Sequence, residues 1–223
     1  MALLSVENLT LHYQTRAGPV RAVEGVSFSM EREEALGLVG ESGSGKTSVA
    51  LALLRVLPDN ARLLGGRVLM DGVDLLSLPE EQMRRWRWKR VAMVFQAAMN
   101  SLDPVYRVGE QVAEALLAHE PATPVEARRR ALALFETVGL EPALLEHYPH
   151  ELSGGMRQRA VIAMALACGP DLLIADEPTT ALDVVTQDRI LRELRALQKR
   201  LGMAILYISH DIAVMAEVCD RIG

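Results

Sequence analysis

One short stretch near the amino terminus has the composition and spacing of a phosphate-binding loop. The pattern G-x-x-x-x-G-K-[ST] is matched by Gly40-Glu41-Ser42-Gly43-Ser44-Gly45-Lys46-Thr47. Glycines let the backbone curl so that several N–H groups can point at phosphate oxygens. Lys46 supplies a cation for the β- and γ-phosphates, and Thr47 supplies a hydroxyl for Mg²⁺. A flexible Gly/Ser turn is the alternative, but the apolar run 36–39 and the helical run after the loop favour a nucleotide site.

A second candidate site is a pair of carboxylates, Asp176 and Glu177, which follow the apolar run 172–175. This pattern predicts a buried strand with both acids at its carboxyl end, the edge at which parallel sheets bind ligands. Asp176 would hold Mg²⁺, directly or through water, and Glu177 would act as general base on the attacking water. Two solvated acids at a strand end are the alternative, and the phosphate loop makes that alternative the minor one.

A third candidate site is a glycine-rich helix start at Ser153-Gly154-Gly155. Ser153 can cap the helix, while the two glycines leave backbone N–H groups open to an anion. The segment therefore predicts a second phosphate-binding helix end, although an ordinary Ser/Gly helix start has the same residues.

The elements that must position these residues alternate between strands and helices, which predicts a mostly parallel sheet with helices on both faces. The block from about 108 to 152 interrupts the alternation and reads as helical, with a capping box at Thr123-Pro124-Val125-Glu126. We therefore predict a nucleotide-binding core (1–96 and 161–223) and an inserted helical subdomain (97–160). Strands are predicted at 3–9, 26–30, 35–39, 67–70, 91–95, 172–175 and 204–209, and helices at 46–57 and 187–201.

Composition narrows the class of partner. The 223 residues carry a formal charge of -5, which gives no support for nucleic-acid binding through bulk electrostatics. The run Arg84-Arg85-Trp86-Arg87-Trp88-Lys89-Arg90 mixes basic and aromatic residues as nucleic-acid sites do, but a snorkelling helix end is the favoured interpretation. No signal peptide and no membrane-spanning segment is predicted.

With Leu152-Ser153-Gly154-Gly155 following the phosphate loop, the chain resembles the ATP-binding-cassette (ABC) family. The resemblance covers nearly the whole chain and implies a P-loop NTPase core with an antiparallel β edge. It also implies a Q-loop glutamine at Gln96 that contacts Mg²⁺ and water, and a D-loop at Ala181-Leu182-Asp183. His210 resembles a switch histidine that senses the γ-phosphate. The residues that would bind ATP are Tyr13 (stacked on adenine), Gly40, Ser42, Gly43, Ser44, Gly45, Lys46, Thr47, Ser48, Ser153, Gly154, Gly155 and Asp183.

Taken alone, several of these residues have a structural alternative. Gln96 could be a solvated amide at a strand end, and Asp183 could be a helix cap. His210 could be structural, and Tyr13 could simply close the first strand.

The family resemblance also implies cofactors, partners and location. ATP and Mg²⁺ would lie between the phosphate loop of one subunit and the signature 152–155 of a second, identical or paralogous, head-to-tail subunit. Two transmembrane permease subunits would bind the dimer at the cytoplasmic face of the plasma membrane, and an extracytoplasmic solute-binding protein would act indirectly. A soluble ABC ATPase acting on DNA or ribosomes is the second hypothesis, and a catalytically inactive regulatory cassette is the third.

Within the family, the segments 37–47, 99–104 and 172–183 look like those of oligopeptide, dipeptide and nickel importers. Two features depart from the family pattern. Glu33 occupies a turn where the family commonly has glycine, so we expect this turn to be either strained or different from that of the family. The sequence ends at Gly223, whereas family members continue through another strand and a C-terminal region, so we expect that region to be missing here.

Overall fold

The structure, a computed structural model, describes residues 2–96, 101–180 and 182–223. Residues 99 and 100 of the segment 99–104, and Ala181 of the predicted D-loop, lie outside the described residues. The strands are, in chain order, β1 (Leu4–Thr15), β2 (Gly18–Met30), β3 (Ala35–Val39), β4 (Ala61–Met70), β5 (Val73–Asp74), β6 (Val91–Val94), β7 (Leu172–Asp176), β8 (Ala204–Ser209) and β9 (Arg221–Ile222). The α-helices are α1 (Lys46–Leu54), α2 (Glu80–Trp86), α3 (Val108–His119), α4 (Pro124–Thr137), α5 (Gly154–Ala165), α6 (Val184–Leu201) and α7 (Ile212–Val218).

The described strands form two sheets. An antiparallel sheet has the order β2-β1-β4-β5, and a parallel sheet has the order β6-β7-β8-β3-β9. Strands β3, β6 and β7 run parallel to their neighbours, so their carboxyl ends, together with that of β8, meet at one edge. The phosphate loop, Gln96, Glu177 and His210 all follow these ends. The sheet therefore brings together residues that are more than a hundred positions apart in the sequence.

The parallel sheet is buried on both faces, which explains its continuous apolar strands. Leu173 and Ala175 of β7 pack with α3, α4, α5 and α6. Leu172 and Ile174, which point the opposite way, pack with α1 and the antiparallel sheet. The predicted α/β fold class is confirmed.

The helical block contains α3 and α4, followed by short 3-10 turns at Pro142–Glu146 and Pro149–Glu151. The predicted capping box is confirmed, because the Thr123 hydroxyl accepts from the Glu126 backbone N–H at 3.3 Å. The predicted division into core and helical subdomain at 97–160 stays a prediction. Among the described residues, no helix is both long enough and apolar enough to cross a bilayer.

Several side chains of the basic and aromatic run 84–90 bond to other residues of the protein. The Trp88 indole N–H donates to the Met164 carbonyl at 2.8 Å, and Arg87 donates to the Leu54 carbonyl at 2.7 Å. The Arg90 guanidinium lies over the Trp86 ring and pairs with Asp171. These contacts favour the interpretation of a structural helix end, while Arg84 and Arg85 are exposed and the exclusion of a nucleic-acid surface stays a prediction.

The expected strain at Glu33 is also confirmed. Its φ of 59° lies in the left-handed region that disfavours residues with a Cβ atom. The Gln198 side chain donates to the Glu33 carbonyl and so ties this turn to α6.

Candidate nucleotide-binding and catalytic site

The phosphate loop joins β3 to α1 and closes around its own lysine. Lys46 is buried, and its Nζ donates to the carbonyls of Gly40 and Glu41 at 2.7 Å each. A weaker contact joins Nζ to the Ser44 hydroxyl at 3.3 Å. These bonds fix the ammonium inside the loop, at the amino-terminal end of α1 where the helix dipole also favours an anion.

Space restricts the side chain at two glycines of the loop, and at Gly45 the backbone conformation also favours glycine. Gly45 has a φ of 97°, and a Cβ there would lie 2.1 Å from the Ala22 carbonyl oxygen. A Cβ at Gly40 would lie 2.9 Å from the Ser44 hydroxyl. The loop can therefore approach β2 and its own side chains only because these positions lack a side chain.

Asp176 ends β7 as a buried carboxylate, with 1% of the residue exposed. Neither of its oxygens has a hydrogen-bond partner within residues 2–96, 101–180 and 182–223. Burial raises the pKa of Asp176, and the nearby Thr47 hydroxyl opposes that shift. A buried, unpartnered carboxylate is unfavourable unless it is protonated or meets a cation.

This arrangement fits a magnesium ion. Thr47, Asp176 and Gln96 are the residues that could hold it, and they offer the oxygen ligands that Mg²⁺ prefers. In the described part of the chain, no three His, Cys, Asp or Glu side chains cluster as a metal site. An ion here would therefore take most of its ligands from phosphate groups and water, as Mg²⁺ commonly does at phosphate sites.

Glu177 is held in a strained but well-bonded position. Its φ is 44°, and its backbone N–H donates to the Ile208 carbonyl at 2.9 Å. His210 Nδ1 lies 3.0 Å from Oε1, and Gln96 Nε2 lies 2.8 Å from Oε2. Burial raises the pKa of Glu177, but the hydrogen bonds from His210, Thr180 and Gln96 outweigh it, so that the pKa is lowered. The carboxylate is therefore kept ionised, as a general base must be.

Most of the residues predicted to bind ATP within one subunit share a cavity of about 250 Å³, although Gly40 and Ser44 do not line it. It is lined by Tyr13, Ser42, Gly43, Gly45, Lys46, Thr47, Ser48, Gln96 and Glu177, among others. The Tyr13 hydroxyl donates to Ser48 Oγ at 3.1 Å, which joins β1 to α1. Tyr13 thus lies beside the phosphate loop, while its stacking on adenine stays a prediction.

The glycine-rich helix start lies in a different cavity, of about 600 Å³, lined by Ser153, Gly154, Gly155 and Asp183 among others. Among described residues, the two cavities have no lining residue in common. Ser153 caps α5 by accepting from the Met156 N–H at 3.3 Å. Asp183 caps α6 by accepting from the Thr186 N–H at 3.0 Å. Asp183 is therefore a helix cap, and contact with a nucleotide would be an additional role.

Sequence reasoning missed two polar residues of the site. The Thr180 hydroxyl donates to Glu177 Oε2 at 3.0 Å. Asp211 follows His210 and caps α7 by accepting from the Ala213 and Val214 N–H groups at 3.0 and 3.1 Å. The N-cap preference for aspartate could have identified Asp211, whereas no local pattern signals Thr180.

Comparisons with known proteins agree with this geometry. Residues 23–180 match the family model described as ABC transporter. A probable peptide ABC transporter ATP-binding protein from Sinorhizobium fredii is 50% identical over 99% of this chain and 67% of its own length. The oligopeptide transport ATP-binding protein OppD of Bacillus subtilis is 45% identical over 99% of this chain and 63% of its own length.

Solved structures give the same result. A dimeric, post-hydrolysis ATP-binding cassette bound to ADP and phosphate superposes with a TM-score of 0.84 at 29% identity, over 98% of this chain and 92% of the other. A subunit of the cbiONQ ABC transporter complex of Clostridium perfringens has a TM-score of 0.83 at 28% identity, over 99% and 83% of the two chains.

Fold and site together define a P-loop nucleotide-binding ATPase cassette. The chain belongs to the ABC transporter family, and it spans about two thirds of the length of the curated relatives it matches. The predictions of this family and of an ATP-hydrolysing cassette are thereby confirmed. The matched relatives are named as peptide transport proteins, and the comparisons give no support to the nucleic-acid alternative.

Proposed function

We propose that this chain powers an importer of peptides, as one of two cassettes that hydrolyse ATP between them. The single observation that carries the chemistry is the carboxylate of Glu177, held ionised beside the phosphate loop by donors from separate elements. The peptide substrate is supported by the names of the relatives, several of which are oligopeptide or dipeptide transport proteins.

We assign each residue of the site a separate role in ATP hydrolysis. The phosphate-loop N–H groups and Lys46 bind the phosphates, and Tyr13 stacks on adenine. Thr47, Asp176 and Gln96 would hold Mg²⁺, which would offset the negative charge of the phosphates. Glu177 accepts a proton from the water whose oxygen attacks the γ-phosphorus, and the bond to the ADP oxygen breaks. His210 orients Glu177 through Oε1 and contacts the γ-phosphate.

A second cassette completes each site. Ser153, Gly154, Gly155 and Asp183 line a cavity separate from that of the phosphate loop, so one ATP would reach both only across a subunit boundary. The relative solved with ADP and phosphate is dimeric, which supports a head-to-tail pair, identical or paralogous. ATP would favour the closed pair because it contacts both surfaces only in that state.

The proposed location follows from the partners. Two transmembrane permease subunits would hold the cassette pair at the cytoplasmic face of the plasma membrane as a peripheral component. An extracytoplasmic solute-binding protein would deliver peptides and would affect ATP turnover only through the permease.

The test is the rate of Mg²⁺-ATP hydrolysis by the full protein, in its assembled transporter, with two variants. Glu177→Gln should lower turnover by about a hundredfold or more while ATP still binds, because only the base is lost. Lys46→Ala should lower both ATP binding and turnover. Arg62→Ala is the control, since within the described residues this exposed side chain bonds only to the carbonyls of Asp59 and Ala61. Turnover near wild type in Glu177→Gln would reject the proposed general base, and peptide uptake that survives Lys46→Ala would reject the coupling to transport.

A further inference from the structure

Two donors share one oxygen of Glu177, and they come from different parts of the fold. Gln96 Nε2, which follows β6, lies 2.8 Å from Oε2, and the Thr180 hydroxyl lies 3.0 Å from the same atom. His210 Nδ1, which follows β8, contacts the other oxygen, Oε1. The carboxylate is therefore oriented from three sides.

Thr180 differs from the other two donors because it belongs to the same turn as Glu177. The Thr180 backbone N–H donates to the Glu177 carbonyl at 3.1 Å, and the Leu182 N–H donates to the Thr179 carbonyl at 3.2 Å. Thr179 is buried, and this fixes the turn between the two residues. The distance from the Thr180 hydroxyl to the carboxylate is set locally and does not depend on how separate elements are placed.

The proposed function gives Gln96 and His210 other contacts during turnover. Gln96 would bind Mg²⁺, and His210 would contact the γ-phosphate. Each of these contacts would use a different atom from the one that bonds Glu177, since a metal is bound by the Gln96 amide oxygen and His210 has a second ring nitrogen, Nε2. Substituting Gln96 or His210 would therefore disturb the metal or the phosphate as well as the carboxylate, whereas Thr180, of the three described donors, has no second assignment.

We propose that Thr180 is a positioning residue for the general base: its hydroxyl, placed by the turn that both residues share, holds Glu177 Oε2 in the orientation needed to accept the proton from water. This inference rests on the proposed function. Thr180 does not touch the nucleotide in this account, so its contribution falls on the chemical step and not on ATP binding.

The test compares Thr180→Val, which keeps the shape and removes the hydroxyl, with Thr180→Ser, which keeps the hydroxyl. Thr180→Val should lower kcat about ten- to a hundredfold with KM for ATP unchanged, as expected for the loss of one hydrogen bond to a charged group. Thr180→Ser should recover most of the rate. Thr137→Val is the matched control, because the Thr137 hydroxyl bonds, in the part of the chain that the structure describes, only to the Ala133 carbonyl.

A double-mutant cycle separates positioning from a structural effect. In the Glu177→Gln background, Thr180→Val should cause no further loss, because the group that it positions is already gone. The inference is overturned if Thr180→Val keeps wild-type kcat, if KM and Tm change in proportion to the rate, or if Thr180→Ser is as slow as Thr180→Val. If Glu177→Gln hydrolyses ATP at the wild-type rate, the general base of the proposed function is rejected. A wild-type rate in Thr180→Val alone would reject only the role of Thr180.

Discussion

At the scale of single residues, the site contains left-handed backbone with two different origins. Gly45 can adopt a φ of 97° because it has no Cβ atom, and the Ala22 carbonyl occupies the space that a side chain would need. Glu177 adopts a φ of 44° although it carries a side chain, and non-glycine residues in this region cost roughly 1 kcal/mol or more. Strain of this kind persists where the surroundings fix the residue, as the Ile208 carbonyl and three side-chain donors do here.

The requirement for glycine in the loop predicts a graded effect on stability. Gly43 and Gly45 both have positive φ, but a Cβ at Gly43 meets no atom within 4 Å. Gly43→Ala should cost about 1 kcal/mol in the free energy of unfolding, from backbone strain alone. Gly45→Ala should cost at least about 2 kcal/mol, because a clash with the Ala22 carbonyl is added. Urea unfolding of both variants measures the difference, and equal costs would show that the clash is relieved without penalty.

The sequence identified the site residues by two unequal routes. Lys46, Thr47, Asp176 and Glu177 follow from local patterns whose chemistry is explicit. The meeting of Gln96, Glu177 and His210 could be expected only from the family resemblance, because strand order in a sheet is a non-local property. Thr180 was missed since a hydroxyl three residues after a carboxylate is common and becomes informative only when the turn geometry is known.

At the scale of elements, burial decided how well the strands could be predicted. The buried strands β3 and β8 were predicted at their observed bounds, 35–39 and 204–209. For β2 and β4 only the ends 26–30 and 67–70 were predicted, whereas the strands span Gly18–Met30 and Ala61–Met70. The missed parts are mostly exposed and include Pro19, Gly65 and Gly66, which sequence patterns assign to turns. Pairing with β1, a long-range contact, keeps them extended.

The strained turn before β3 predicts a stabilising substitution. Glu33→Gly should raise the free energy of unfolding by about 0.5–1 kcal/mol, because glycine accepts φ near 59° without a Cβ penalty. The Gln198 bond to the Glu33 carbonyl is retained, since it involves only the backbone of residue 33. Glu33→Ala is the control, as it removes the carboxylate but keeps the Cβ. A gain of equal size in Glu33→Ala would assign the effect to charge and not to backbone strain.

At the scale of the whole molecule, the parallel sheet and the helical layer place the two loops that we propose to bind phosphate in separate cavities. The phosphate loop lies at the carboxyl edge of the sheet, and the Ser153 helix start lies beside the amino-terminal end of α6, where Gly155 approaches Thr186. The proposal that both loops bind the same terminal phosphate therefore requires a second cassette. The need for a second cassette could be predicted from the sequence only through the family resemblance. The local sequence of each loop does not indicate how far apart the two loops lie in the fold.

The measurement that tests this central claim most directly is the molar mass, by light scattering, of the full protein carrying Glu177→Gln. The measurement is made with and without Mg²⁺-ATP, alone and mixed with whichever second cassette co-purifies with it. The account predicts that ATP yields a particle of two cassettes with two nucleotides bound. It also predicts that adding Ser153→Arg to the same chain returns the mass to one cassette that still binds ATP. A mass that never rises with ATP, or that rises equally in the Ser153→Arg variant, would contradict it.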